Sequence, residues 1–516
     1  MIVRMTMTPA LSASSFITSI GVNASINYTD GKYVNIKSVL ADLAYLGVSL
    51  IRTAAWFPGM QGQGAYDLAA TKGIRFDMLL YTSSTLPGAV THMAKFAAAH
   101  PGALVAIEGP NEINNFGASY NGLTGAAAAI AYQDALYADV AANPVLHGTA
   151  VYSYTMNAGA ISTTGYDYAA IHPYATRGAA PLRYLDNNIA SFPAGKPFAV
   201  TETGYSTLAT RSGGVDPVVQ AIYDLDAVFD AKAAGAGTVF LYELLDAYPD
   251  PSGTLAGNHF GLFDLANKPK PVAAALHNLT RILGGGPASF SPGSLSFSVS
   301  GADATTHTLL LQKATSQFDL VVWDEQPIWN NTTHREISPT MHAETIRFDH
   351  LMSTVNVFDP MQSTAPIAVY HDVSALVLAV GSDPLIVEVT AAAAQTPAAH
   401  TPAVHTARQT NSAVMADAPG MAFVVAPGDT ITAKGTHATF VFHSGSGAET
   451  IDGFVPATVA GDVIRFDRSL FADFAAMKPA LHTSGDNLVL SHDAHNYLAL
   501  DHVATGQLSA ANFRFV

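Results

Sequence analysis

A repeating pattern of short apolar runs and alanine-rich stretches fills residues 17 to 283 and restricts the folds open to this chain. The apolar runs favour strands, and the stretches between them have helical character. The candidate strands are Ile17–Ala24, Val48–Ala54, Phe76–Tyr81, Leu104–Glu108, Gly148–Tyr152, Tyr168–His172, Phe198–Glu202 and Thr238–Tyr242. Repeated strand–helix units of this number close into a parallel barrel. We therefore predict an α/β fold whose first domain, residues 1–284, is a (β/α)8 TIM barrel.

The pattern changes after Leu283, where Gly284-Gly285-Gly286-Pro287 interrupts the repeats. Glycine and proline break regular structure, and later segments such as Leu320-Val321-Val322-Trp323 favour strands. We predict an antiparallel β-sandwich over residues 285–390. An Ala-, Pro-, Thr- and His-rich linker follows over 391–420, and a C-terminal β-rich module completes the chain over 421–516.

The charge balance argues against two classes of partner. Lys and Arg total 24 against 40 Asp and Glu, which gives a formal net charge of −16. This charge opposes binding to nucleic acid or to an anionic membrane surface, so we expect a neutral or weakly charged substrate. No apolar run reaches the length of a membrane-spanning helix or of an N-terminal signal peptide, and we expect no membrane insertion. The absence of cysteine excludes disulfides and a cysteine nucleophile, and the oligomeric state stays open.

Two glutamates follow apolar runs that end in turn signals. Glu112 ends Ile107-Glu108-Gly109-Pro110-Asn111-Glu112, and Glu202 lies between Ala199-Val200-Thr201 and Thr203-Gly204. Barrel enzymes carry their chemistry at the strand ends, so strands four and seven would place both carboxylates at one mouth. At a separation of roughly 5.5 Å, one carboxylate protonates a glycosidic oxygen and the other attacks the sugar. We assign Glu112 as the acid and base and Glu202 as the nucleophile. The alternatives are a surface carboxylate for Glu112 and a structural salt bridge for Glu202.

Four further polar residues are candidates for the same mouth. Asn111 is placed to donate a hydrogen bond to a sugar 2-hydroxyl, and His172 to bind the acid or a sugar hydroxyl. Tyr174 is placed to orient the nucleophile. Arg52 is a charged residue inside an apolar strand, where a guanidinium would keep the nucleophile ionised. An ordinary core histidine and a barrel salt bridge are the competing interpretations for His172 and Arg52.

Aromatic and acidic residues at the predicted rim complete the candidate substrate site. Trp56 and Tyr242 would supply apolar platforms for pyranose rings, although aromatic residues are often simply core residues. Glu243 and Asp246 either bind sugar or support the loop that carries them.

Other chemistries lack their motifs in this sequence. There is no dinucleotide fingerprint, no phosphate-binding Gly-x-x-x-x-Gly-Lys-Ser/Thr and no His-Glu-x-x-His zinc motif. The 19 histidines are scattered, and some lie in the linker. We expect neither a metal nor a cofactor.

These residues resemble those of clan A retaining glycoside hydrolases, with Asn111-Glu112 at the fourth strand and Glu202 at the seventh. The segment from Phe240 to Asp246, followed by His259-Phe260-Gly261-Leu262-Phe263-Asp264, is similar to the eighth-strand region of family 39-like members. The β domain is similar to the one that packs against their barrels. The resemblance implies a TIM barrel, retention of configuration, and a plant glycan or bacterial exopolysaccharide as substrate.

The C-terminal module resembles the C-terminal regions of RTX-type proteins exported by bacterial type I secretion. The likeness rests on segments such as Glu449-Thr450-Ile451-Asp452-Gly453-Phe454 and the ending Asn512-Phe513-Arg514-Phe515-Val516. The calcium-binding nonapeptide repeats of that family are missing. The resemblance implies secretion through an uncleaved C-terminal signal, and a plain carbohydrate-binding β module is the alternative.

Together these features predict a secreted retaining glycoside hydrolase acting on an oligo- or polysaccharide by double displacement. The alternative is a glycan-binding protein whose barrel no longer catalyses a reaction. An enzyme would release products from the glycan, whereas a binding protein would release none.

Overall fold

The computed structural model describes residues 5–55, 62–82, 85–156, 164–210, 214–287 and 290–391, together with much of the C-terminal region. In that region it describes 413–416, 422–424, 430–433, 439–442, 448–456, 462–466, 471, 473–485, 487–491 and 497–515.

Eight parallel strands form a barrel in the first half of the chain, which confirms the predicted fold class. Their order is β6-β7-β8-β1-β2-β3-β4-β5, and a parallel bridge between Tyr152 and Tyr168 brings the two ends of this order together. The strands are β1 (Ile20–Asn23), β2 (Leu50–Ala54), β3 (Arg75–Leu79), β4 (Leu104–Glu108), β5 (Ala150–Tyr152), β6 (Ala169–Ile171), β7 (Phe198–Thr203) and β8 (Val239–Leu241).

Among the described residues, seven helices alternate with these strands: α1 (Ile36–Leu46), α2 (Gln63–Thr71), α3 (Leu86–Ala99), α4 (Gly125–Ala142), α5 (Leu182–Ile189), α6 (Pro217–Ala233) and α7 (Pro271–Ile282). Local sequence sets their ends. The Asn35 side chain caps α1 by accepting from Ser38 N, and Gly47 ends it in the left-handed conformation at φ 72°. Asp216 caps α6 ahead of Pro217. Within the described part of the chain, no helix is long and apolar enough to cross a membrane.

The barrel interior changes character along its length. Side chains alternate between the two faces of a strand, so Ala106 shares the inward face of Glu108 and Ala199 that of Thr201. Ala106 and Ala199 pack with Tyr152 and Ala170 in a small buried cluster. The polar residues lie one layer further towards the carboxyl ends of the strands. A layer of apolar side chains therefore fills the barrel below the polar residues at its mouth.

An antiparallel β domain follows the barrel and encloses its own apolar core. The long β12 pairs with β9 through residues 345–348 and with β14 through residues 352–358, and its register with β13 shifts between Arg347 and Met352. Its strands are β9 (Ser294–Ser300), β10 (Thr306–Ala314), β11 (Gln317–Asp324), β12 (His342–Phe358), β13 (Ala368–Val380) and β14 (Leu385–Ala391).

The first residues of the chain belong to this second sheet. Thr6–Pro9 pairs antiparallel with β9, and Leu11–Ser12 pairs parallel with β10. The predicted barrel region began at residue 1, but residues 6–12 lie in the β-domain sheet, and the short helix Ala13–Thr18 leads from there into β1.

Helix α6 joins the two domains. The Tyr223 hydroxyl donates to Gln326 O at 3.1 Å and accepts from Ile328 N at 3.0 Å. Trp323 Nε1 donates to Asp230 Oδ1 at 3.0 Å. Residues 219–231 of α6 are all buried, because this helix is covered by the barrel on one side and by the β domain on the other.

Three buried aspartates of α6 carry unusual electrostatics. Asp224, Asp226 and Asp230 are at most 2% exposed, and neither carboxylate oxygen of Asp226 has a hydrogen-bond partner among the described residues. Burial, reinforced by the charges of Glu325 and Asp230, raises the pKa of Asp226 well above its usual range. The interface therefore favours neutral carboxyl groups.

The C-terminal region winds between two sheets. One contains parallel strands followed by an antiparallel pair, in the order Ala413–Ala416, Thr430–Ala433, Ala448–Asp452, Tyr497–Leu500, Asn487–Ser491 and Leu481–Ser484. The other is parallel throughout: Ala422–Val424, Thr439–Phe442, Val463–Phe466 and Phe513–Phe515. Ala413–Ala416 lies within the predicted linker, of which residues 392–412 and 417–420 fall outside the described residues.

Short elements occupy the remaining described connections. The helical turns are Lys32–Val34, Ile113–Phe116, Ala256–His259, Phe474–Met477, Lys478–Ala480, Thr505–Gln507 and Ala510–Asn512. Small hairpins pair Ser119–Tyr120 with Leu123–Thr124 and Trp329–Asn330 with Arg335–Glu336.

Candidate active site

The two predicted catalytic glutamates meet at the carboxyl ends of the barrel strands. Glu202 is the fifth residue of β7, and Glu112 lies four residues beyond the end of β4. Their side chains are 10% and 13% exposed, so both reach solvent only through the barrel mouth. Single carboxylate oxygens of Glu112 and Glu202 lie within 4.8 Å of each other.

Glu112 is held by contacts from three different segments. Its backbone has φ 38° and its N–H donates to Thr155 Oγ1 at 2.8 Å. Its carboxylate binds His172 Nδ1 at 3.0 Å through Oε1, and Oε2 accepts from Asn115 Nδ2 at 2.8 Å. A left-handed residue other than glycine is uncommon, and here it lies at the turn from β4 into the helical turn Ile113–Phe116. This backbone conformation directs the carboxylate into the mouth.

Glu202 has one partner for each carboxylate oxygen. Arg52 Nη1 donates to Oε1 at 2.6 Å, and the Tyr174 hydroxyl donates to Oε2 at 2.8 Å. His172 Nδ1 lies 3.8 Å from Oε2. Hydrogen bonds from a cation and a hydroxyl hold the Glu202 carboxylate in a fixed orientation at the mouth.

Arg52 binds four side chains at the base of the site. Its Nε and Nη2 bind Glu108 at 2.6 and 2.8 Å in a bidentate pair. Nη2 also donates to Asn111 Oδ1 at 2.8 Å, and Nη1 donates to Asn23 Oδ1 at 3.0 Å as well as to Glu202. Because Asn111 Oδ1 is bound to Arg52, the amide N–H groups of Asn111 are the ones that can donate to a substrate.

The pKa of Glu112 reflects opposing influences. Burial raises it, but the hydrogen bond and charge of His172, the hydrogen bond from Asn115 and the charge of Arg52 outweigh burial and lower the pKa below the usual range. Burial and the neighbouring Glu202 raise the pKa of Tyr174 well above its usual range. Tyr174 therefore stays a hydrogen-bond donor to the nucleophile.

Glu112, His172 and Glu202 also have the composition of a metal-ligand set, with one ligand atom each within 4.8 Å of the others. The hydrogen bonds already described occupy those atoms: Asn115 and His172 bind Glu112, Arg52 and Tyr174 bind Glu202, and Thr201 Oγ1 lies 3.0 Å from His172 Nε2. The arrangement fits proton transfer between a histidine and carboxylates.

The rim residues have different roles from one another. The ring of Tyr242 packs edge-on against Tyr174 with centroids 6.2 Å apart. Glu243 accepts from the Tyr33 hydroxyl at 3.0 Å, and burial, together with the charges of Asp246 and Glu202, raises the pKa of Glu243 to about 8. Asp246 accepts from Gly261 N at 2.8 Å and pairs with Lys270 at 2.7 Å, which are loop-supporting contacts. Trp56 lies outside the described residues.

Eight of these residues were predicted from the sequence to lie at the site, and the layer beneath them was not. The structure brings together Asn111, Arg52, His172, Tyr174, Tyr242 and Glu243 around the two glutamates or at the adjoining rim. It adds Glu108, Asn23 and Asp77 below Arg52. For Glu108 and Asp77 the available signal was an acidic residue within an apolar barrel strand, comparable to the signal that marked Arg52. Asn23 carries no charge and offered no such signal.

Comparisons with known proteins show which solved structures have a similar fold. No protein-family model matches this sequence, and no curated protein matches it. Among solved structures, a family 39 glycoside hydrolase from the gut symbiont Bacteroides cellulosilyticus WH2 is similar, with a TM-score of 0.50 and 14% identity, covering 74% of this chain and 83% of that one.

Two further structures match at 14% identity and a TM-score of 0.49: a family 39 enzyme from Xanthomonas axonopodis pv. citri and a monomeric β-xylosidase from Caulobacter crescentus CB15. Each alignment covers 75% of this chain, with 96% and 98% of the respective partner. At such identities likeness establishes fold alone. The chain combines a TIM barrel with a β domain in the manner of the Bacteroides family 39 glycoside hydrolase.

Proposed function

We propose that this protein is a retaining glycoside hydrolase that cleaves an oligo- or polysaccharide. The observation that carries the proposal is the pair Glu112 and Glu202, whose carboxylate oxygens lie within 4.8 Å of each other at one barrel mouth. Retaining enzymes hold their carboxyl groups about 5–5.5 Å apart, whereas inverting enzymes leave about 6.5–9.5 Å for a water molecule.

In the first step Glu202 attacks the anomeric carbon while Glu112 protonates the glycosidic oxygen. The bond between anomeric carbon and glycosidic oxygen breaks, and a glycosyl ester forms on Glu202. Arg52 and Tyr174 bind the Glu202 oxygens and fix the direction of attack. Asn111 donates to the sugar 2-hydroxyl, a hydrogen bond that strengthens as the oxocarbenium character grows.

In the second step water replaces the departed sugar. Glu112, now a carboxylate, removes a proton from the water as its oxygen attacks the anomeric carbon, and Glu202 leaves as a carboxylate. The two inversions give net retention. Arg52 and Tyr174 stabilise the negative charge that returns to Glu202.

His172 supplies a reason for the low pKa of the acid. Thr201 Oγ1 lies 3.4 Å from Glu108 Oε1, a contact in which the hydroxyl donates, so His172 Nε2–H donates to Thr201. The remaining proton lies between His172 Nδ1 and Glu112 Oε1. Glu112 and His172 thus hold one proton between them, which becomes the proton given to the leaving group.

The substrate class is a glycan of bacterial or plant origin. Tyr174, Tyr242 and Phe260 pack edge-on against one another beside Glu202, and such aromatic rings suit contact with pyranoses. Glu243 and Asn111 supply hydrogen-bonding groups. A panel of aryl glycosides, plant glycans and bacterial exopolysaccharides, with product analysis, identifies the sugar and the linkage.

The decisive experiment compares Glu112→Gln and Glu202→Gln with the wild type on that panel. Each variant should lower turnover by about 10²-fold or more while the melting temperature holds, because each removes a group that reacts in the transition state. Glu336→Gln, on the exposed strand Arg335–Glu336, is the matched control. NMR of the first-formed anomer tests retention. Wild-type turnover in either variant contradicts the assignment, and binding without any product by the wild type supports the glycan-binding alternative.

We also propose that the protein is exported through an uncleaved C-terminal signal in residues 421–516. The sequence likeness to type I substrates and the winding of the chain between two mainly parallel sheets support this proposal. Co-expression with a bacterial type I exporter tests it: the full chain should appear in the medium, and a chain ending at residue 391 should stay inside. Equal export of both chains rejects the signal.

A further inference from the structure

A buried carboxyl pair lies beneath the nucleophile and takes no direct part in the chemistry proposed above. Asp77 is the third residue of β3 and pairs in register with Arg52 of β2. Glu108 ends β4, the next strand. Both side chains are 0% exposed. Two adjacent acidic groups therefore share one buried environment with a single arginine.

Every N–H of Arg52 is already used. Nε binds Glu108, Nη1 binds Asn23 and Glu202, and Nη2 binds Glu108 and Asn111. A guanidinium has five N–H groups, and these five contacts exhaust them. Arg52 has no donor left for Asp77.

Among the described residues, Asp77 has no other donor either. Neither of its oxygens has an N–H or hydroxyl partner among the described residues. An ionised carboxylate at such a position loses its hydration without compensation, which is prohibitively costly. A protonated Asp77 removes that cost, because its own O–H becomes a donor for which Glu108 is the acceptor. Burial and the Glu108 charge raise the pKa of Asp77 well above its usual range, against the opposing charge of Arg52.

We propose that Asp77 and Glu108 are positioning residues that share one proton and carry a single negative charge opposite Arg52 throughout the reaction. This proposal rests on the proposed function and deepens it. Glu108 fixes the guanidinium plane by its bidentate contact and so aims Nη1 at Glu202. Asp77 donates to Glu108 and completes the pair.

The shared charge matters because the charge of Glu202 changes during turnover. In the free enzyme Arg52 faces two carboxylates, Glu108 and Glu202. In the glycosyl-enzyme Glu202 is a neutral ester, and the Asp77–Glu108 pair remains the only described counter-charge in contact with Arg52. The pair prevents a buried, unpaired arginine from destabilising the intermediate.

The test is a double-mutant cycle on the acid limb of the kcat/KM profile, measured with the most reactive aryl glycoside of the panel. Asp77→Asn leaves one negative charge on Glu108, since the amide replaces the donor, and the acid limb should stay in place. Glu108→Gln replaces two acceptor oxygens with one and so frees an N–H of Arg52 for Asp77. Asp77 can then ionise and take over that charge, so the limb should move little. The double variant leaves Glu202 as the only negative charge beside Arg52 among the described residues. The acid limb of kcat/KM should then move to lower pH by about 1 unit or more.

Two results overturn the proposal. If Asp77→Asn alone lowers the limb as far as the double variant does, Asp77 is already ionised in the wild type. If the double variant leaves the limb in place, the pair does not provide the charge that balances Arg52. A merely structural role would lower activity equally at every pH and would not produce this non-additive shift.

Infrared difference spectroscopy provides a readout that needs no turnover. Wild type minus Asp77→Asn should show the C=O stretch of a protonated carboxyl group at neutral pH, shifted in D2O. A carboxylate difference band in its place overturns the shared proton, whatever substrate the enzyme takes. If the carboxylic acid band is present but the protein hydrolyses no glycan, the result counts against the proposed function and supports the shared proton.

Discussion

His172 Nδ1 lies 3.0 Å from Glu112 Oε1, and this single contact links the proposed acid to a buried hydrogen-bond chain. The chain continues from His172 Nε2 through Thr201 to Glu108. Since Glu108 also binds Arg52, and Arg52 binds Glu202, the acid and the nucleophile are connected through the floor of the barrel. Glu112 and Glu202 therefore belong to one connected network of hydrogen bonds.

Replacing His172 with Gln should move the basic limb of kcat/KM to higher pH. The contact with His172 lowers the pKa of Glu112, so its loss raises that pKa and keeps the acid protonated over a wider range. Thr201→Val is the control, because it removes the Nε2 partner and retains the Nδ1 contact. A basic limb that stays in place in His172→Gln would show that His172 does not tune the acid.

Removal of the Tyr174 hydroxyl should slow the enzyme by about 10- to 100-fold. The hydroxyl donates to Glu202 Oε2 at 2.8 Å, and a hydrogen bond to a charged group contributes about 1.5–3 kcal/mol. Tyr174→Phe and the control Tyr184→Phe are compared by turnover. The Tyr184 hydroxyl in α5 forms an exposed hydrogen bond of 2.8 Å with Thr176 Oγ1 and does not contact the glutamates. Equal turnover in both variants would contradict a role for Tyr174.

Glu243 should introduce a second alkaline transition. Its pKa is raised to about 8 by burial, so the carboxyl is neutral below that pH and becomes negative above it, close to the charge of Glu202. The wild-type pH profile should steepen above pH 8, and Glu243→Gln should remove that steepening. If the alkaline slope is the same in both proteins, Glu243 does not titrate in the site.

Stability should fall as pH rises through the titration of the interface aspartates. The folded-state pKa of Asp226 is raised above its unfolded value of about 3.9, so its contribution is fully present below that value and lost above it. Asp226→Asn should therefore gain stability relative to wild type by up to about 1.4 kcal/mol per pH unit above pH 4. Thermal melts from pH 4 to 7 measure this trend, and a constant difference would contradict it.

Asp250 provides a control of opposite sign. Hydrogen bonds from Leu255 N and neighbouring groups lower the pKa of Asp250 to about 2, so its stabilisation is present above pH 4 and lost towards pH 2. Asp250→Asn should lower the melting temperature at pH 7 and leave it unchanged near pH 2.

A methyl group at Gly109 should destabilise the β4 exit. A Cβ there would lie 1.8 Å from Gln133 Oε1 and 2.9 Å from Tyr154 N. Overpacking of this kind costs about 1–3 kcal/mol. Gly64→Ala in α2 is the control, since its Cβ meets no atom within 4 Å and alanine favours a helix. Denaturant unfolding should separate the two variants, and equal stabilities would contradict the close approach.

The sequence predicted the strands and several residues that meet at the mouth, but not the layer below them. Glu112 and Glu202 lie next to glycine, proline and turn signals, which mark the end of a strand. Asp77 lies inside the apolar run from Phe76 to Leu80 without such a mark, and its role depends on the neighbouring strands that form its surroundings. Tertiary pairing, and not local sequence, determines that role.

Helix α6 illustrates a second limit. Asp226 and Asp230 lie four positions apart on one side of the helix, and acidic residues usually lie in solvent. In the structure both are buried against the β domain, where burial and the charge of Glu325 raise their pKa values well above the usual range. Local pattern predicts the helix but not what lies against it.

The pairing of Thr6–Pro9 with β9 has a consequence for how the chain is made. Thr6 pairs with Phe297, so nearly three hundred residues separate the first strand from its partner in the sequence. During synthesis the strand cannot pair until those residues have been made. Contacts so distant in sequence raise the entropic barrier to folding and slow it. A truncated chain ending at residue 284 would leave this strand without its partner. A fragment from residue 6 to about residue 391 would contain the pairing partners of all strands in the barrel and the β domain.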